Sequence, residues 1–589
     1  MLLSSMTRSG SHSLKGISVD VPSHTTTLLG GLSHLRSNGL LLDVTLSAEG
    51  EHFQAHRLLL AACSDYFRAM FTDEMRERQQ QHIELHAVSA VGLHSVLTYI
   101  YTGVLSLDLS TIQDVLSAAA HLQLPAVQEA CAIYLQNQLD LENCVDVASI
   151  AETYSLCQLR TRAYAAMCSQ LREFSSTAEF QRLSSSQLVQ LLRSDHPVNC
   201  SEGEVATAVA RWLSHCPSRS AHARHLLYHI NWSEVPQQVL HSLALPCPLP
   251  HNPDPQLHPQ PPKGLLNTRG LELAFVKVGG FSISGITNEI TYRLSPSQGW
   301  HHLTTIPHVE QCNFGTAVLD NQLYVVGGCF NQSLQENIHP FGFRYSPQTD
   351  KWSTISPMLR ERCRFTLTVL GEKLYAVGGE AEDGADASME CEMYKPGSDS
   401  WHQLSSHPAN SRAQHSAVAL DGKLFVLGGI DLAHDFSLSS CWVLNTSSGS
   451  WSSIADMIMP RADHSSFVYA GEIYVCGGWN EDETGNNRRL VSTLECYNPS
   501  SDSWRVVTSI PTPRYHAGIV VIGDGMFVMG GFHSDATFDR ASGIIECYDL
   551  EREEWHSEKA YPRDIWEHTC VALHVPRCRE DVEVMISVA

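Results

Sequence analysis

Six Gly-Gly pairs recur in the C-terminal half of the chain at intervals of 48 to 53 residues. An apolar run precedes each pair, and a tryptophan follows each pair 20 to 26 residues later. Aliphatic, aromatic and β-branched residues favour buried strands, and paired glycines allow backbone conformations and close approaches that other residues cannot adopt. A period near 50 residues with this content is typical of the blades of a β-propeller. The six pairs are Gly279-Gly280, Gly327-Gly328, Gly378-Gly379, Gly428-Gly429, Gly477-Gly478 and Gly530-Gly531.

The first Gly pair lacks the strand and tight turn that stand upstream of the other five. In the fourth repeat, for example, the strand-like run 415–420 leads into a turn at Asp421 and Gly422. A comparable run, residues 568–575, stands instead after the last of the six tryptophans. We therefore expect the C-terminal strand to complete the first blade and close the ring, which removes exposed sheet edges. Residues 269–578 resemble a six-bladed Kelch propeller, an all-β fold.

Composition excludes several classes of function. The net charge is −24, from 39 basic and 63 acidic residues, which argues against a nucleic-acid groove or binding to an anionic membrane. There is no run of eighteen apolar residues and no signal-peptide core at the N-terminus. The 18 cysteines contain no Cys-x-x-Cys spacing, which indicates a reduced, intracellular protein. We expect a cytoplasmic location, with a nuclear or cytoskeletal location also open.

The N-terminal half predicts an α/β domain. Residues 1–23 are rich in Ser and Thr and are expected to be a disordered tail. A helix, a hairpin and several further helices are predicted over residues 24–135, with Ser64 as the N-cap of one helix and Gly103 as the end of another. The strings 55–67 and 99–103 resemble the BTB (POZ) domain. BTB domains of this type form homodimers, and the resemblance implies a charged pocket at the dimer core formed by Asp43 and Arg57. The alternative is that Asp43 is a strand-edge residue and Arg57 a solvated helix residue.

The next region is helical by pattern. Residues 136–245, with the runs 141–152 and 204–213, resemble the all-α BACK domain. In that family the first helix pair extends the surface beside the BTB domain that binds cullin-3. Residues 246–268 are predicted to be a semi-rigid linker, because eight prolines fall between positions 246 and 262. The C-terminal tail, residues 579–589, has no readable role.

A short motif predicts the cullin contact. In the family, a hydrophobic-x-Glu motif follows the helix that contains Tyr-Phe and marks cullin-3 binding. Met75 and Glu77 match this motif in the matching place after Tyr66 and Phe67. A methionine suits such an anchor because it adapts to a partner's pocket. The alternative is an ordinary charged loop.

We find no convincing catalytic or metal site in the sequence. There is no phosphate-binding loop and no Gly-x-Ser-x-Gly elbow. His222, His225 and His229 have the spacing of one helix face, which a metal could use, but no Glu or Cys accompanies them and a His-rich helix surface is favoured. The copper ligands of galactose-oxidase-type propellers cannot be assembled here. We therefore predict a non-catalytic protein without cofactor or metal.

The substrate-binding face is predicted from propeller geometry. Propellers bind ligands on the loops around the central channel. Arg364 aligns with an arginine that a relative in the resembled family uses to bind an acidic peptide, but the other positions are neutral or acidic, which disfavours an acidic ligand. The alternative is that these residues only solvate their loops. Counting back from the Gly pairs to the residue before each innermost strand gives Asn313, Arg364, Gln414, Asp463 and Tyr515, with Trp566 near the matching point of the closing strand.

The order BTB, BACK and Kelch is that of the Kelch-like substrate adaptors of cullin-3 ubiquitin ligases, and the resemblance covers nearly the whole chain. It implies a homodimer whose propeller binds a protein substrate while the BTB and BACK domains bind cullin-3. The alternative is a Kelch scaffold that binds actin or the cytoskeleton without recruiting a ligase. Met75-x-Glu77 and the BACK extension favour the adaptor. A BTB transcription repressor usually carries zinc fingers, and no Cys/His spacing here allows them.

Overall fold

The computed structural model divides the chain into two compact units, residues 1–184 and 185–589, which we describe separately. Among the residues that the structure describes, no helix is both long and apolar enough to span a membrane. The described residues are 23–72, 79–243, 265–295, 298–330, 337–381, 391–404, 412–481, 487–534, 538–579, 581 and 583–584.

The first unit begins with a small sheet surrounded by helices. The predicted hairpin is present as two antiparallel strands, and a third strand, which we did not predict, pairs in parallel with the first of them. Leu46, Leu60 and Phe67 are fully buried between the sheet and the helices. In chain order the elements are α1 (Ser23–Ser37), β1 (Val44–Ala48), β2 (Glu51–Ala55), α2 (Arg57–Cys63), α3 (Asp65–Thr72), β3 (His82–Glu84), α4 (Ala90–Thr102), α5 (Ile112–His121) and α6 (Pro125–Asn137).

Local chemistry explains where these helices begin and end. The Ser64 hydroxyl accepts a hydrogen bond from the Phe67 N–H at 3.1 Å, so Ser64 caps α3 as predicted. The predicted stop at Gly103 is also confirmed, because this glycine has a φ of 71° and its N–H donates to the Tyr99 carbonyl at 2.7 Å. The unit ends in four further helices, α7 (Cys144–Thr153), α8 (Cys157–Ser169), α9 (Leu171–Phe174) and α10 (Ala178–Arg182).

The second unit begins with helices and continues into the propeller. Its helices are α11 (Ser185–Leu192), α12 (Glu202–His215), α13 (Ala223–Leu227) and α14 (Gln237–Ser242), with 3-10 turns at Pro217–His222 and Trp232–Glu234. The Arg269 guanidinium, just before the first propeller strand, contacts both carboxylate oxygens of the fully buried Glu202 at 2.5 and 2.7 Å. It also donates to the carbonyls of Leu192 and His229. Because a buried carboxylate needs a charged partner, this contact ties the propeller to α12.

The propeller consists of six four-stranded antiparallel sheets, which confirms the predicted fold class. Blade I contains β4 (Leu271–Val278), β5 (Phe281–Ser282), β6 (Gly285–Ile286), β7 (Glu289–Arg293) and β8 (His301–Thr305), and blade II contains β9 (Gly315–Leu319), β10 (Gln322–Val326), β11 (Gly342–Ser346) and β12 (Lys351–Ile355). Blade III contains β13 (Thr366–Leu370), β14 (Lys373–Val377), β15 (Cys391–Lys395) and β16 (Ser400–Gln403).

The remaining blades add short strand pairs on the loops that follow their second strands. Blade IV contains β17 (Arg412–Ala413), β18 (Ser416–Leu420), β19 (Lys423–Leu427), β20 (Ile430–Asp431), β21 (Phe436–Ser437), β22 (Cys441–Asn445) and β23 (Ser450–Ile454). Blade V contains β24 (Ser465–Tyr469), β25 (Glu472–Cys476), β26 (Trp479–Glu481), β27 (Arg488–Leu490), β28 (Thr493–Asn498) and β29 (Ser503–Ser509). Blade VI contains β30 (Gly518–Ile522), β31 (Gly525–Met529), β32 (Phe532–Ser534), β33 (Asp539–Ala541), β34 (Ile545–Asp549) and β35 (Glu554–Glu558), and the last strand is β36 (Thr569–Pro576).

The last strand closes the ring, as predicted. β36 pairs with β4 over eight residues, from Thr569 opposite Val278 to Pro576 opposite Leu271. It becomes the innermost strand of blade I, and its Leu573 and Val575 side chains are fully buried in a cluster that spans blades I and II. The first blade is therefore built from both ends of the propeller sequence, and β36 pairs the inner edge of β4.

The Gly pairs lie where neighbouring blades touch. In five pairs the second glycine donates its N–H to a carbonyl in the loop that leads into the next blade, for example Gly328 to Arg362 at 3.0 Å and Gly531 to Ile565 at 2.8 Å. A Cβ on Gly327 would lie 2.7 Å from the Arg362 carbonyl oxygen, and Gly327 and Gly328 have φ values of 62° and 103°. Both the close contact and the left-handed backbone therefore require glycine.

A buried ion pair fixes the loop that leads into three of the blades. Three arginines each contact a buried glutamate on the third strand of their own blade: Arg362 with Glu392, Arg461 with Glu495 and Arg514 with Glu546, at 2.5 to 2.6 Å. Each of these arginines also donates to the carbonyl of the first glycine of its own blade. Blade IV has Trp442 in place of the glutamate, and its Arg412 donates instead to the Ser440 carbonyl and hydroxyl.

The described part of the C-terminal tail packs on the propeller. The Arg579 guanidinium donates to the Leu303 carbonyl at 2.8 Å and contacts Asp581 and Asp350. Val584 is buried in a cluster with Trp300, and its N–H donates to the Trp300 carbonyl at 2.7 Å. These residues, for which the sequence suggested no role, cover the outer strand of blade I.

Deleting residues 569–589 from the full chain should open the ring. The loss of β36 removes two fully buried aliphatic side chains, which costs about 5 kcal/mol or more, and it exposes the edge of β4. We expect insoluble protein or a large fall in the thermal unfolding midpoint, measured by circular dichroism. The matched control, deletion of 579–589, keeps β36 and should destabilise the protein only modestly. Equal melting and solubility of the longer deletion and the intact chain would show that β36 does not close the propeller.

Three buried histidines lie at contacts between blades. His415, His464 and His568 immediately precede the innermost strands of blades IV, V and I, and each imidazole lies against a glycine of the preceding blade. Burial lowers the pKa of His415 and His568 to about 3 and that of His464 well below its ordinary value. The neutral imidazoles are therefore part of the contact between blades.

We predict that the propeller loses stability as the pH falls. An unfolded histidine has a pKa of about 6.5, so the unfolded chain binds more protons than the folded chain between that pH and the folded-state pKa of about 3 for His415 and His568. Their contribution is complete above pH 6.5 and is lost below it at about 1.4 kcal/mol per pH unit for each histidine. The decrease in the free energy of unfolding between pH 7 and pH 5, from urea titrations, should be smaller for His568→Gln than for wild type. The exposed control His556→Gln should keep the wild-type decrease, and an unchanged decrease in His568→Gln would contradict this account.

Candidate binding site at the mouth of the central channel

Six equivalent residues form a ring at the mouth of the channel where the innermost strands begin. All have left-handed backbone, with φ between 49° and 56°, a conformation that non-glycine residues rarely adopt. Four members donate their N–H to the carbonyl of the preceding member, as Arg364 does to Asn313 at 3.0 Å; the four donors are Arg364, Gln414, Asp463 and Glu567. The ring residues are Asn313, Arg364, Gln414, Asp463, His516 and Glu567.

The structure brings four of the predicted face residues together and places two beside them. Asn313, Arg364, Gln414 and Asp463 all line one cavity. Tyr515 and Trp566 each precede a ring residue by one position. They correspond to Cys312 and Cys363 of blades II and III, and at all four positions the backbone forms a β-bridge to the residue that follows a Gly pair. The ring positions of blades VI and I are instead His516 and Glu567. A constant separation of 14 residues between the ring residue and the first glycine of the pair identifies His516 from the sequence alone.

The channel opens at two mouths. The mouth inside the ring, hereafter the ring mouth, is a cavity of about 180 Å³ lined by all six ring residues. The opposite mouth, of about 810 Å³, is lined by turns that follow the innermost strands, including Asp320, Asn321 and Glu372. Because strands alternate in direction within a blade, the ring mouth shares its face with the loops that connect the blades and with the hairpins β5–β6, β26–β27 and β32–β33.

Charged and amide side chains contact one another around the ring mouth. An Arg364 guanidinium nitrogen lies 3.7 Å from a Glu380 carboxylate oxygen. With its amide oxygen turned toward Arg364 at 3.1 Å, Gln414 donates from its nitrogen to Asp463 at 3.2 Å. Asp463 also accepts a hydrogen bond from the Trp479 indole N–H at 2.8 Å. One half of the ring is therefore a connected polar network.

The other half is less well compensated. The Nε2 atom of His516 lies 3.5 Å from Asp463 and 3.7 Å from Glu567. Glu567 is only 19% exposed, and burial raises its pKa, against the opposing effect of His516 and Arg364. Burial likewise raises the pKa of Glu380. Neither Glu380 nor Glu567 was found by the sequence analysis.

Four aromatic side chains pack together next to the ring, beside the positions of His516 and Glu567. Trp566 stacks on Phe281 with ring centroids 6.0 Å apart and contacts Phe532 at 5.2 Å, and Phe532 stacks on Tyr515 at 5.4 Å. The predicted residues Tyr515 and Trp566 thus form an aromatic arc, together with Phe281 and Phe532, at the edge of the ring mouth. A site of this kind, with buried charge beside flat apolar rings, suits binding of a ligand side chain.

The predicted dimer residues contact each other within one chain. Asp43 accepts a hydrogen bond from the Arg57 N–H at 2.8 Å, so it satisfies the first turn of α2. The Arg57 side chain donates to the carbonyls of Asp43 and Gln80 and lies over the Phe71 ring. A role in a dimer stays a prediction. The predicted cullin contacts Met75 and Glu77 lie outside the described residues.

The three histidines considered for a metal do not share one helix. His222 ends a 3-10 turn, His225 lies in α13 and His229 follows that helix. The rings of His225 and His229 contact each other edge to face at 5.2 Å. Within the described part of the chain, no cluster of three or more His, Cys, Asp or Glu side chains has an arrangement suited to a metal ion.

Comparison with protein-family models gives four matches that together cover most of the chain. Residues 32–139 match the BTB/POZ domain, and residues 144–244 match the BACK model, described as BTB And C-terminal Kelch. Residues 312–359 match the Kelch motif, and residues 364–574 match the KLHDC2/KLHL20/DRC7 Kelch-repeats domain.

Similarity to individual proteins extends over nearly the whole length. Kelch-like protein 26 of Danio rerio is 30% identical over 582 residues, which cover 94% of both chains. Kelch-like protein 26 of Mus musculus is 32% identical over 588 residues, which cover 94% of this chain and 93% of the relative. Kelch-like protein 15 of Mus musculus is 28% identical over 586 residues, with 92% and 94% covered. With its small α/β domain, its helical segment and its closed propeller in the same order, this chain belongs to the Kelch-like family of BTB-BACK-Kelch proteins.

Proposed function

We propose that this protein is a substrate adaptor of a cullin-3 ubiquitin ligase. The observation that carries the proposal is the presence, in one chain and in the family's order, of BTB and BACK domains followed by a complete propeller with a polar cavity at its ring mouth. The BTB and BACK half binds cullin-3, and the propeller binds the protein to be ubiquitinated. The ubiquitin chemistry belongs to other subunits, so this chain acts without catalysis of its own.

The mechanism of an adaptor is positional. Binding both cullin and substrate turns the encounter of a substrate lysine with the ubiquitin-loaded module into an event within one complex, which raises the effective concentration of the reactants. The contact between Arg269 and Glu202 supports this function, because it holds the propeller on helix α12 through a buried ion pair. A firm attachment restricts the orientations of the bound substrate relative to α12.

The adaptor also forms a homodimer through its BTB domain in this proposal. Helix α1 has no buried residue in the single chain, and its Leu28 is 54% exposed. Leu29, Leu32 and Leu35 follow Leu28 at helical spacing and are only partly buried. An apolar helix face left uncovered in one chain supports burial against a second copy.

Replacing Met75 and Glu77 together by alanine should abolish cullin binding. The double change removes an apolar anchor and a charged hydrogen-bond partner, and truncations of this kind cost about 2 kcal/mol each at binding hot spots. We expect an affinity about a thousandfold lower, measured by calorimetry of the full chain against the N-terminal domain of cullin-3. Thermal unfolding should be unchanged.

Two other outcomes have distinct meanings. If the wild-type chain does not bind at tens of micromolar, the adaptor proposal fails and the scaffold alternative replaces it. If wild type and double variant bind equally, the cullin contact lies elsewhere on the BTB and BACK surface.

Replacing Leu28 by glutamate should convert the dimer to a monomer. A charge on the exposed face of α1 would be desolvated in the dimer without a partner. Sedimentation equilibrium of the full chain at micromolar concentration should give twice the chain mass for wild type and the single-chain mass for Leu28→Glu. The control Val91→Glu places the same charge on a similarly exposed residue of α4 and should remain dimeric. A monomeric wild type would contradict the prediction.

A further inference from the structure

We propose that the ring mouth binds a lysine or arginine side chain of the substrate, held by Glu567 and Asp463, with apolar substrate residues on either side. This inference rests on the proposed function for the existence of a protein substrate and adds its chemical class. It follows from the charges inside the ring mouth, from the aromatic arc beside Glu567 and from the apolar side chains around the face.

The charges at the ring mouth are unbalanced. Among the described side chains on and directly against the ring, one guanidinium, Arg364, faces three carboxylates, those of Glu380, Asp463 and Glu567. Arg364 is already engaged by Glu380 and by the Gln414 amide. Asp463 and Glu567 both contact His516, and Arg364 also acts on Glu567.

Burial makes this imbalance consequential. Glu567 is largely shielded from water, and no Lys or Arg among the described residues forms an ion pair with it, which leaves the carboxylate in an unfavourable environment. A cation supplied by a ligand would restore the compensation that water no longer provides. A ligand carboxylate would be repelled by the three carboxylates at the ring mouth, and the one arginine there, Arg364, is already paired with Glu380.

The surroundings of Glu567 also suit a cationic side chain. The Trp566 ring, in the aromatic arc with Phe281 and Phe532, offers a flat apolar wall to the stem and head of a lysine or arginine. The cavity of about 180 Å³ is of a size for one side chain rather than for a folded element. The ligand group is therefore a single residue inserted from an extended segment or loop.

The outer part of the same face is apolar. Six large hydrophobic side chains on this face are 44 to 99% exposed. They surround the ring mouth on several blades, so a bound segment with apolar residues near its cation would contact them. These side chains are Ile283, Val309, Leu359, Phe436, Ile458 and Phe538.

Long-range charge favours the same partner. With a net charge of −24, the chain attracts cationic segments and repels acidic ones before contact. Arg364 alone would suggest an acidic ligand, as in the relative that uses an aligned arginine. The local and the overall charge both oppose that ligand here.

A random 12-residue peptide library displayed on phage, selected on the intact wild-type protein, tests the proposal. We expect selected peptides to share a lysine or arginine with apolar neighbours. A selected peptide, resynthesised with a fluorescent label, should bind Glu567→Gln and Asp463→Asn at least about tenfold more weakly than wild type. Replacing the peptide's basic residue by glutamine should cause a loss of the same size.

Two control variants separate local from general effects. Glu372→Gln removes the same charge at the opposite mouth and should leave peptide affinity unchanged. Arg364→Gln should leave affinity unchanged or raise it, whereas an acidic ligand would require Arg364 and would be lost. Circular dichroism of each variant verifies folding, and Glu567→Gln and Asp463→Asn provide independent tests should one of them fail to fold.

The proposal is overturned if wild type selects acidic peptides, if it selects none, or if binding of a basic peptide survives both carboxylate variants. Cullin-3 titration of the same preparations is a separate readout, because the predicted cullin contacts are in the BTB domain. If no peptide is selected but cullin-3 still binds, only the proposed substrate class is contradicted. If cullin-3 does not bind, the proposed adaptor function is contradicted.

Discussion

The close passage of each Gly pair against the next blade is the constraint on which the propeller depends. At Gly327, Gly428 and Gly477 a Cβ atom would lie 2.7 Å from a carbonyl oxygen of the neighbouring loop, so only glycine allows the contact. The adjacent glycine donates its N–H to that same carbonyl. Because the contact recurs between successive blades, the ring is a chain of equivalent contacts, and the pairing of β36 with β4 joins its ends.

The loops that lead into the blades contain both the residues that hold neighbouring blades together and the residues that differ from blade to blade. The buried arginines Arg362, Arg461 and Arg514 bind glutamates within their own blades, while their backbone carbonyls bind the preceding blade. Two residues later in each loop comes a ring residue with left-handed backbone. A rigid, repeated anchor thus presents one side chain per blade to the ring mouth. Those side chains differ in charge from blade to blade without disturbing the anchor, which is how a repeated fold acquires a specific binding face.

The strongly repeated parts of the fold could be predicted from the sequence because each has a local physical cause. The Gly pairs require left-handed backbone, Ser64 supplies a cap for α3, and the missing first strand has its counterpart in β36. Non-local contacts could not be predicted in this way. The strand β3 is three residues long and pairs in parallel with β1. Arg579 hydrogen-bonds to the outer strand of blade I, and nothing in the sequence around Arg579 indicates that contact.

The candidate site shows the same division. Four ring residues could be predicted from their distance to the Gly pairs, and the same count identifies His516 where we had predicted Tyr515. Glu567 lies in the loop before the closing strand β36. Because no Gly pair follows that strand, Glu567 could not be identified by counting back from a pair. The ion pair between Arg364 and Glu380 joins different parts of blade III and depends on the folded geometry. Charge balance at the ring mouth is therefore a property of the structure rather than of any motif.

The account's central claim is that one chain carries two separable binding surfaces, one for cullin-3 and one for a substrate. Quantitative mass spectrometry of proteins captured by the full chain from cells treated with a neddylation inhibitor tests it most directly. The Met75→Ala, Glu77→Ala chain should lose cullin-3 and keep the substrate proteins, and the Glu567→Gln chain should keep cullin-3 and lose them. Parallel loss or parallel retention of both partners in either variant would contradict the claim.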